Sequence, residues 1–227
     1  MKFKNKLEKT IRRMLEPIKN IPLSSVIKII SGHKILSTPD KDESFNKLVH
    51  LLKKSIIAAG GDINKGGLKI KRVNEVGNKI EEFVRNSMNR LNMNAEIPVT
   101  ASGKRKSTGY PDIEFSYNGS KHYLECKTFN KDTVDTTFRS FYLSPSKDSK
   151  ITHDAYHFVA SFEIYAHRRT GGVTVYKCRG WKLLSVENLP VDVKYEFQSD
   201  NKRLYDKNRL IEEGKFKKLL KNKRLKK

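Results

Sequence analysis

Apolar positions along this 227-residue chain recur with two periods, and the changes of period mark its elements. Near the start, Leu7, Ile11, Met14, Leu15 and Ile18 return every three or four residues on a basic background, which predicts a helix, and Pro17 is placed to break it. Pro22 opens a short apolar run, Leu23 to Ile30, that closes at Gly32. From Glu43 to Ala59, Phe45, Leu48, Val49, Leu52, Ile56 and Ile57 form one stripe, and Gly60-Gly61 is expected to stop that helix. Residues 1–60 thus read as a helical N-terminal portion. Apolar stripes usually face a core, so a layer covering a sheet is preferred here to a separate recognition or dimerisation module.

After Gly66-Gly67 a second organising helix is predicted from about Asn74 to Leu91, with Val76, Ile80, Phe83, Val84, Ser87, Met88 and Leu91 on one face. On this wheel Glu81 lies at the edge of the stripe, whereas Glu82 points to solvent. Ile97 to Ala101 reads as a strand, and Ser102 to Gly109, with Lys104, Arg105 and Lys106 in succession, as a basic loop.

The period then becomes two. Asp112 to Tyr117 and Ser120 to Thr128 read as strands joined at Asn118-Gly119, a dipeptide suited to a tight hairpin. Tyr123, Glu125 and Lys127 share one face of the second strand, and Leu124, Cys126 and Thr128 the other. A carboxylate and an ammonium on an apolar strand are costly to bury without a partner or an ion. Asp112 stands at the head of the first strand, where the hairpin brings it alongside Glu125. Two converging carboxylates repel unless a hard cation lies between them, and oxygen ligands suit magnesium.

Pro111-Asp112 and Glu125-Cys126-Lys127, twelve residues apart, resemble the PD-(D/E)xK nuclease superfamily over a core of about residues 75–165. Asp148-Ser149-Lys150, Asp192-Val193-Lys194 and Asp200-Asn201-Lys202 repeat the second half of the pattern, and Pro39-Asp40 the first, as chance allows in a lysine-rich chain. The resemblance implies an α/β fold with a restriction-endonuclease-like mixed central sheet flanked by helices. It also implies catalytic roles for Asp112, Glu125 and Lys127, and Mg2+ held by Asp112, Glu125 and the main-chain carbonyl of Cys126. Members often place a glutamate on the preceding helix near the metal. Glu81 fits that description, with an ordinary boundary glutamate as the alternative.

Downstream, Thr136 to Ser144 alternates like a strand, and within it Arg139 is a candidate phosphate clamp, a carboxylate partner being the alternative. Ala155 to Tyr165 is the most apolar segment and reads as a central strand. His153 and His157, lacking a third ligand, read as structural. His167 to Gly172 reads as a basic turn whose Arg168 and Arg169 are candidate groove contacts. Val173–Tyr176, Trp181–Leu184 and Val191–Phe197 add short strands, and a helix is expected from Leu204 into a basic tail, 215–227. With no internal repeat or linker, the chain reads as one domain, 1–227.

Composition narrows the partner. A formal charge of +22 exceeds any need of solubility and points to a polyanion, with nucleic acid the default. Cys126 and Cys178 have no metal-site spacing, and no apolar run reaches membrane-spanning length. GxxxxGK[ST], GxSxG and HExxH motifs are all lacking, which argues against an ATP-driven motor, a serine hydrolase or a zinc protease. The chain reads as cytoplasmic, and the PD-(D/E)xK resemblance implies a type II restriction endonuclease acting as a homodimer on double-stranded DNA, beside a cognate methyltransferase. A structure-selective junction resolvase or repair nuclease, and a non-catalytic basic nucleic-acid-binding protein, are the alternatives.

Overall fold

The computed structural model describes residues 2–16, 18–71, 75–133, 135–136, 141–195 and 198–213. Its elements are α1 (Lys2–Leu15), β1 (Ile18–Pro22), α2 (Leu23–Ser31), α3 (Glu43–Gly66), β2 (Leu68–Ile70) and α4 (Glu75–Asn89), then β3 (Ile113–Tyr117), β4 (Ser120–Phe129), β5 (His157–Thr170), β6 (Val173–Ser185), β7 (Pro190–Val193) and α5 (Asn201–Leu204). The chain divides into two compact units, Met1–Pro17 with Val193–Lys227, and Ile18–Asp192. Among the described residues, no helix is long and apolar enough to cross a membrane.

In the larger unit five strands form one mixed sheet in the order β2-β6-β5-β4-β3. β4 and β5 run parallel, and the other neighbours antiparallel. On one face α3 and α4 bring Leu52, Ile56, Ile80 and Val84 against Cys126, Ala160 and Phe162. On the other, Leu23 and Ile27 of α2 join Tyr123, Val159 and Val186 in a second cluster. Helices thus flank both faces of a mixed sheet, the architecture that the hairpin resemblance implies. β1 and β7 form a separate two-stranded ribbon.

Several elements depart from expectation. α3 starts at Asp42, whose carboxylate accepts the Phe45 N–H at 2.6 Å, but it does not stop at Gly60-Gly61. Another turn buries Ile63 completely, and that burial outweighs the weak helix propensity of two glycines. The stop is Gly67, at φ +68°, where an added Cβ would come within 2.4 Å of the Val175 side chain. Ile97–Ala101 is not a strand. Isolated bridges, Glu96 to Glu114 and Val99 to Arg105, and single bonds such as the Ala101 N–H to Ser149 O at 2.9 Å hold the segment in place of a ladder, because Pro98 has no N–H and the chain folds back with the Thr100 N–H donating to Lys104 O at 2.9 Å.

Of the strand expected over 136–144, residues 137–140 lie outside the described residues and 141–144 are irregular. Phe141 there packs edge-on against Tyr110, with ring centroids 5.2 Å apart. The basic turn is also shorter than expected. β5 runs on to Thr170, so Arg168 and Arg169 are strand residues and only Gly171-Gly172 turns. The two pieces expected at 173–176 and 181–184 are one strand, β6, whose register shifts absorb His167 and Arg179. β7 ends at Val193, and residues 196–197 of the expected strand lie outside the described residues.

In the smaller unit, α1 forms as its pattern predicts. The expected C-terminal helix does not begin at Leu204 but ends there. Asp200 caps one turn by accepting the Arg203 N–H at 2.8 Å, and Asp206 then starts a separate 3-10 turn, Lys207–Arg209. Each aspartate draws the backbone onto its own side chain and interrupts a continuous helix. The basic tail, 215–227, lies outside the described residues.

Candidate active site

The β3–β4 hairpin builds the centre of the site. Its turn sets Ile113 opposite Leu124, so Asp112 lies opposite Glu125 at the mouth of the ladder. Asp112 Oδ2 accepts the Cys126 N–H at 2.8 Å, which ties the first carboxylate across to the second strand. Glu125 is only 4% exposed. Its Oε1 accepts a hydrogen bond from Lys127 Nζ at 2.5 Å, and among the described residues its buried Oε2 meets no donor. Lys127 is partly exposed on the same face, with Nζ 6.0 Å from the Phe141 ring centre.

Burial, and then the charge of Asp112, pushes the Glu125 carboxyl up to about 7. Burial likewise raises Asp112, against the pull of the Cys126 N–H, Lys127 and Lys150. Glu81, half-buried on α4, is pushed up to about 7 by burial and by Asp112, while Arg85, Lys150 and Lys127 draw it down. Glu82 is exposed. The structure therefore brings Glu81, Asp112, Glu125 and Lys127 into one electrostatic neighbourhood.

Among the described residues no three His, Cys, Asp or Glu side chains form a ready cage for a metal. A divalent cation nevertheless fits the residues present. Glu125 Oε2 is a buried oxygen without a donor, it faces a second carboxylate, and both donors are hard oxygens. Magnesium binds readily through one or two carboxylates while keeping several waters.

The other candidates are more dispersed. Lys104, Arg105 and Lys106 are exposed, and Arg105 is tied back to Glu96 at 2.7 Å. Lys106 lines a cleft with Gly109, Tyr110, Ser144 and Lys150. Arg168 and Arg169 pair with Val175 and Thr174 toward the far end of the β5–β6 hairpin. They lie roughly 23–26 Å along the strands beyond the row of Lys127. Arg139 lies outside the described residues.

Two features escaped sequence reasoning, the burial of Lys150 and a cross-strand row with a lysine at each end, while the structural role expected of His157 gains a geometry. Lys150, in a motif match set aside as chance, is 4% exposed and donates from Nζ to Gly109 O and Pro111 O. Its signal was a lysine in an otherwise polar turn, which marks nothing by itself. His157 is buried, and its Nδ1 shares a 2.7 Å hydrogen bond with the Tyr110 hydroxyl, while burial holds the imidazole down at about 3, neutral. It anchors the residue before Pro111, a structural role. Finally, Lys127, Ser161 and Lys182 stand in one cross-strand row over β4, β5 and β6. Lys182 Nζ lies 5.0 Å over the Phe129 ring. The row becomes visible only once the strand order is known.

A family model for the type II restriction enzyme MjaV family matches residues 17–208, spanning both the hairpin and the β5–β6 pair. The chain belongs to this family. The type II restriction enzyme MjaV of Methanocaldococcus jannaschii is 38% identical over 227 aligned residues, covering 93% of this chain and 96% of that relative. No solved structure matches it. For a type II restriction enzyme, a carboxylate pair beside an ammonium on adjacent strands is a site suited to phosphodiester chemistry, since anionic oxygens can hold a cation and the ammonium can meet a phosphate.

Proposed function

We propose that this type II restriction endonuclease cuts double-stranded DNA at a defined sequence through a PD-(D/E)xK site, with Asp112, Glu125 and Lys127 as its catalytic residues and Mg2+ as its cofactor. The observation that carries the reading is Glu125, a buried carboxylate with one oxygen bound by Lys127 and the other without a donor, facing Asp112.

Asp112, Glu125 and the main-chain carbonyl of Cys126 would hold the cation, with Glu81 beside them. Bound there, a divalent cation supplies Lewis-acid activation of water and of the scissile phosphate. Lys127 orients the attacking water and offsets charge that builds on the phosphate. For this it must exchange Glu125 Oε1 for a substrate oxygen, a short move for a side chain already part exposed. Lys104, Arg105, Lys106 and Arg139 are proposed to hold the DNA backbone, and Arg168 and Arg169 to enter a groove at the far end of the hairpin, where Arg reads guanine edges. The chain is proposed to act as one domain, 1–227, in a cytoplasmic homodimer on two-fold symmetric sites. A methyltransferase of the same specificity is proposed to protect host DNA.

The test is digestion of phage-length duplex DNA by purified protein with and without magnesium. Discrete bands that need the cation, with common end sequences, are the expected result. A smear would replace sequence specificity with structure-selective or nonspecific cutting, and intact but gel-shifted DNA would sink the enzymatic reading.

A further inference from the structure

The chain holds an unusual charge beside its carboxylates. Lys150 follows the irregular segment 141–149 and is 4% exposed, whereas lysines are almost never buried without a partner. Among the described residues its ammonium forms no ion pair within 4 Å, and its bonds go to two main-chain carbonyls, Gly109 O and Pro111 O. These flank Tyr110, whose ring is gripped by His157 and Phe141, and the second belongs to the residue before Asp112. Burial draws the ammonium below its ordinary value, and the charges of Asp112, Glu125 and Glu81 oppose that without cancelling it.

We infer that Lys150 is a positioning residue for the proposed reaction, its ammonium clamping the main chain on both sides of Tyr110 so that Asp112 is held toward Glu125. The inference rests on the proposed active site. A buried ammonium bonded to neutral carbonyls is a poor way to gain stability, because its desolvation is not repaid by an ion pair. It is a good way to place a backbone. An ammonium directs its three donors from one point, so two carbonyls bound to it are fixed relative to each other. Asp112 is thereby constrained from both sides, by Lys150 through Pro111 and by the Cys126 N–H on its own oxygen. The same ammonium adds fixed positive charge behind three carboxylates that would otherwise repel one another. With both of its bonds on main-chain carbonyls, Lys150 acts through Asp112 and its neighbours.

The test measures single-turnover cutting of bound DNA, which does not depend on the fraction of active enzyme, together with DNA affinity in calcium. Lys150→Met, at a temperature where circular dichroism shows it folded, is expected to bind DNA within about threefold of wild type and to cut about 100-fold more slowly, the scale of a 1 Å misplacement at a reacting centre. Lys150→Arg keeps the charge but cannot present both bonds from one point. It is expected to bind normally and to cut about tenfold more slowly, and it decides the matter if the methionine variant does not fold. A folded variant that cuts at the wild-type rate overturns the inference, as does an affinity loss that matches the rate loss, which would make Lys150 a DNA contact. Wild-type protein that does not cut with magnesium would instead overturn the proposed function.

Discussion

Glu125 concentrates the conflict on which the site depends. Its ordinary carboxyl value of 4.5 is pushed up to about 7 by burial and by Asp112. A folded-state value raised above the unfolded one gives a contribution that is fully present below about 4.5 and is lost as pH rises through about 7. Without divalent cation, the urea midpoint should fall across that window, Glu125 accounting for about 3 kcal/mol, and Glu125→Gln should flatten the fall. Magnesium should restore the lost stability, since a ligand that binds only the folded state stabilises it. An unchanged slope in the variant would remove Glu125 as the source. On α4, Glu81→Gln should slow cutting while Glu82→Gln does not, and the opposite result would displace Glu81 from the site. Much of this was legible in the sequence because it is local. Strand alternation sets Glu125 and Lys127 on one face, the Asn118-Gly119 turn sets Asp112 opposite, and the helical period separates Glu81 from Glu82. Lys150 was not legible, since its two acceptors lie 41 and 39 residues away and nothing in its neighbours marks it.

At the scale of elements, reading failed where burial or a side-chain bond overrode local preference. Gly60-Gly61 looked like a stop, but α3 continues because Ile63 has a core to enter. Gly61 is helical and exposed, and an added Cβ would meet nothing within 4 Å. Gly61→Ala should therefore stabilise the protein by about 0.5–1 kcal/mol in urea unfolding. Destabilisation would mean that the helix breaks there after all. Asp200 and Asp206 illustrate the other cause, since their caps divided what periodicity read as one helix. Ile97–Ala101 had the composition of a strand, but no continuous neighbour was available to pair with it. The central strand was legible because a continuous apolar run bounded by turns fits a strand buried on both faces, and β5 is that strand.

Over the whole molecule, a charge of +22 favours a polyanionic partner, and the cross-strand row of Lys127, Ser161 and Lys182 extends the proposed catalytic face. Exposed Lys182 should bind a backbone phosphate, so Lys182→Ala should reduce the slope of log affinity against log salt by about 0.9, the loss of one phosphate contact. An unchanged slope would take Lys182 off the DNA path. The central claim is that Asp112, Glu125 and Lys127 perform the cutting rather than hold the fold or the DNA. The most direct measurement compares wild type with Asp112→Asn, Glu125→Gln and Lys127→Met on duplex DNA carrying the cut site, with cleavage measured in magnesium and affinity in calcium. The account predicts that all three bind and none cuts at more than about a hundredth of the wild-type rate. Cutting at the wild-type rate by any of the three would contradict it.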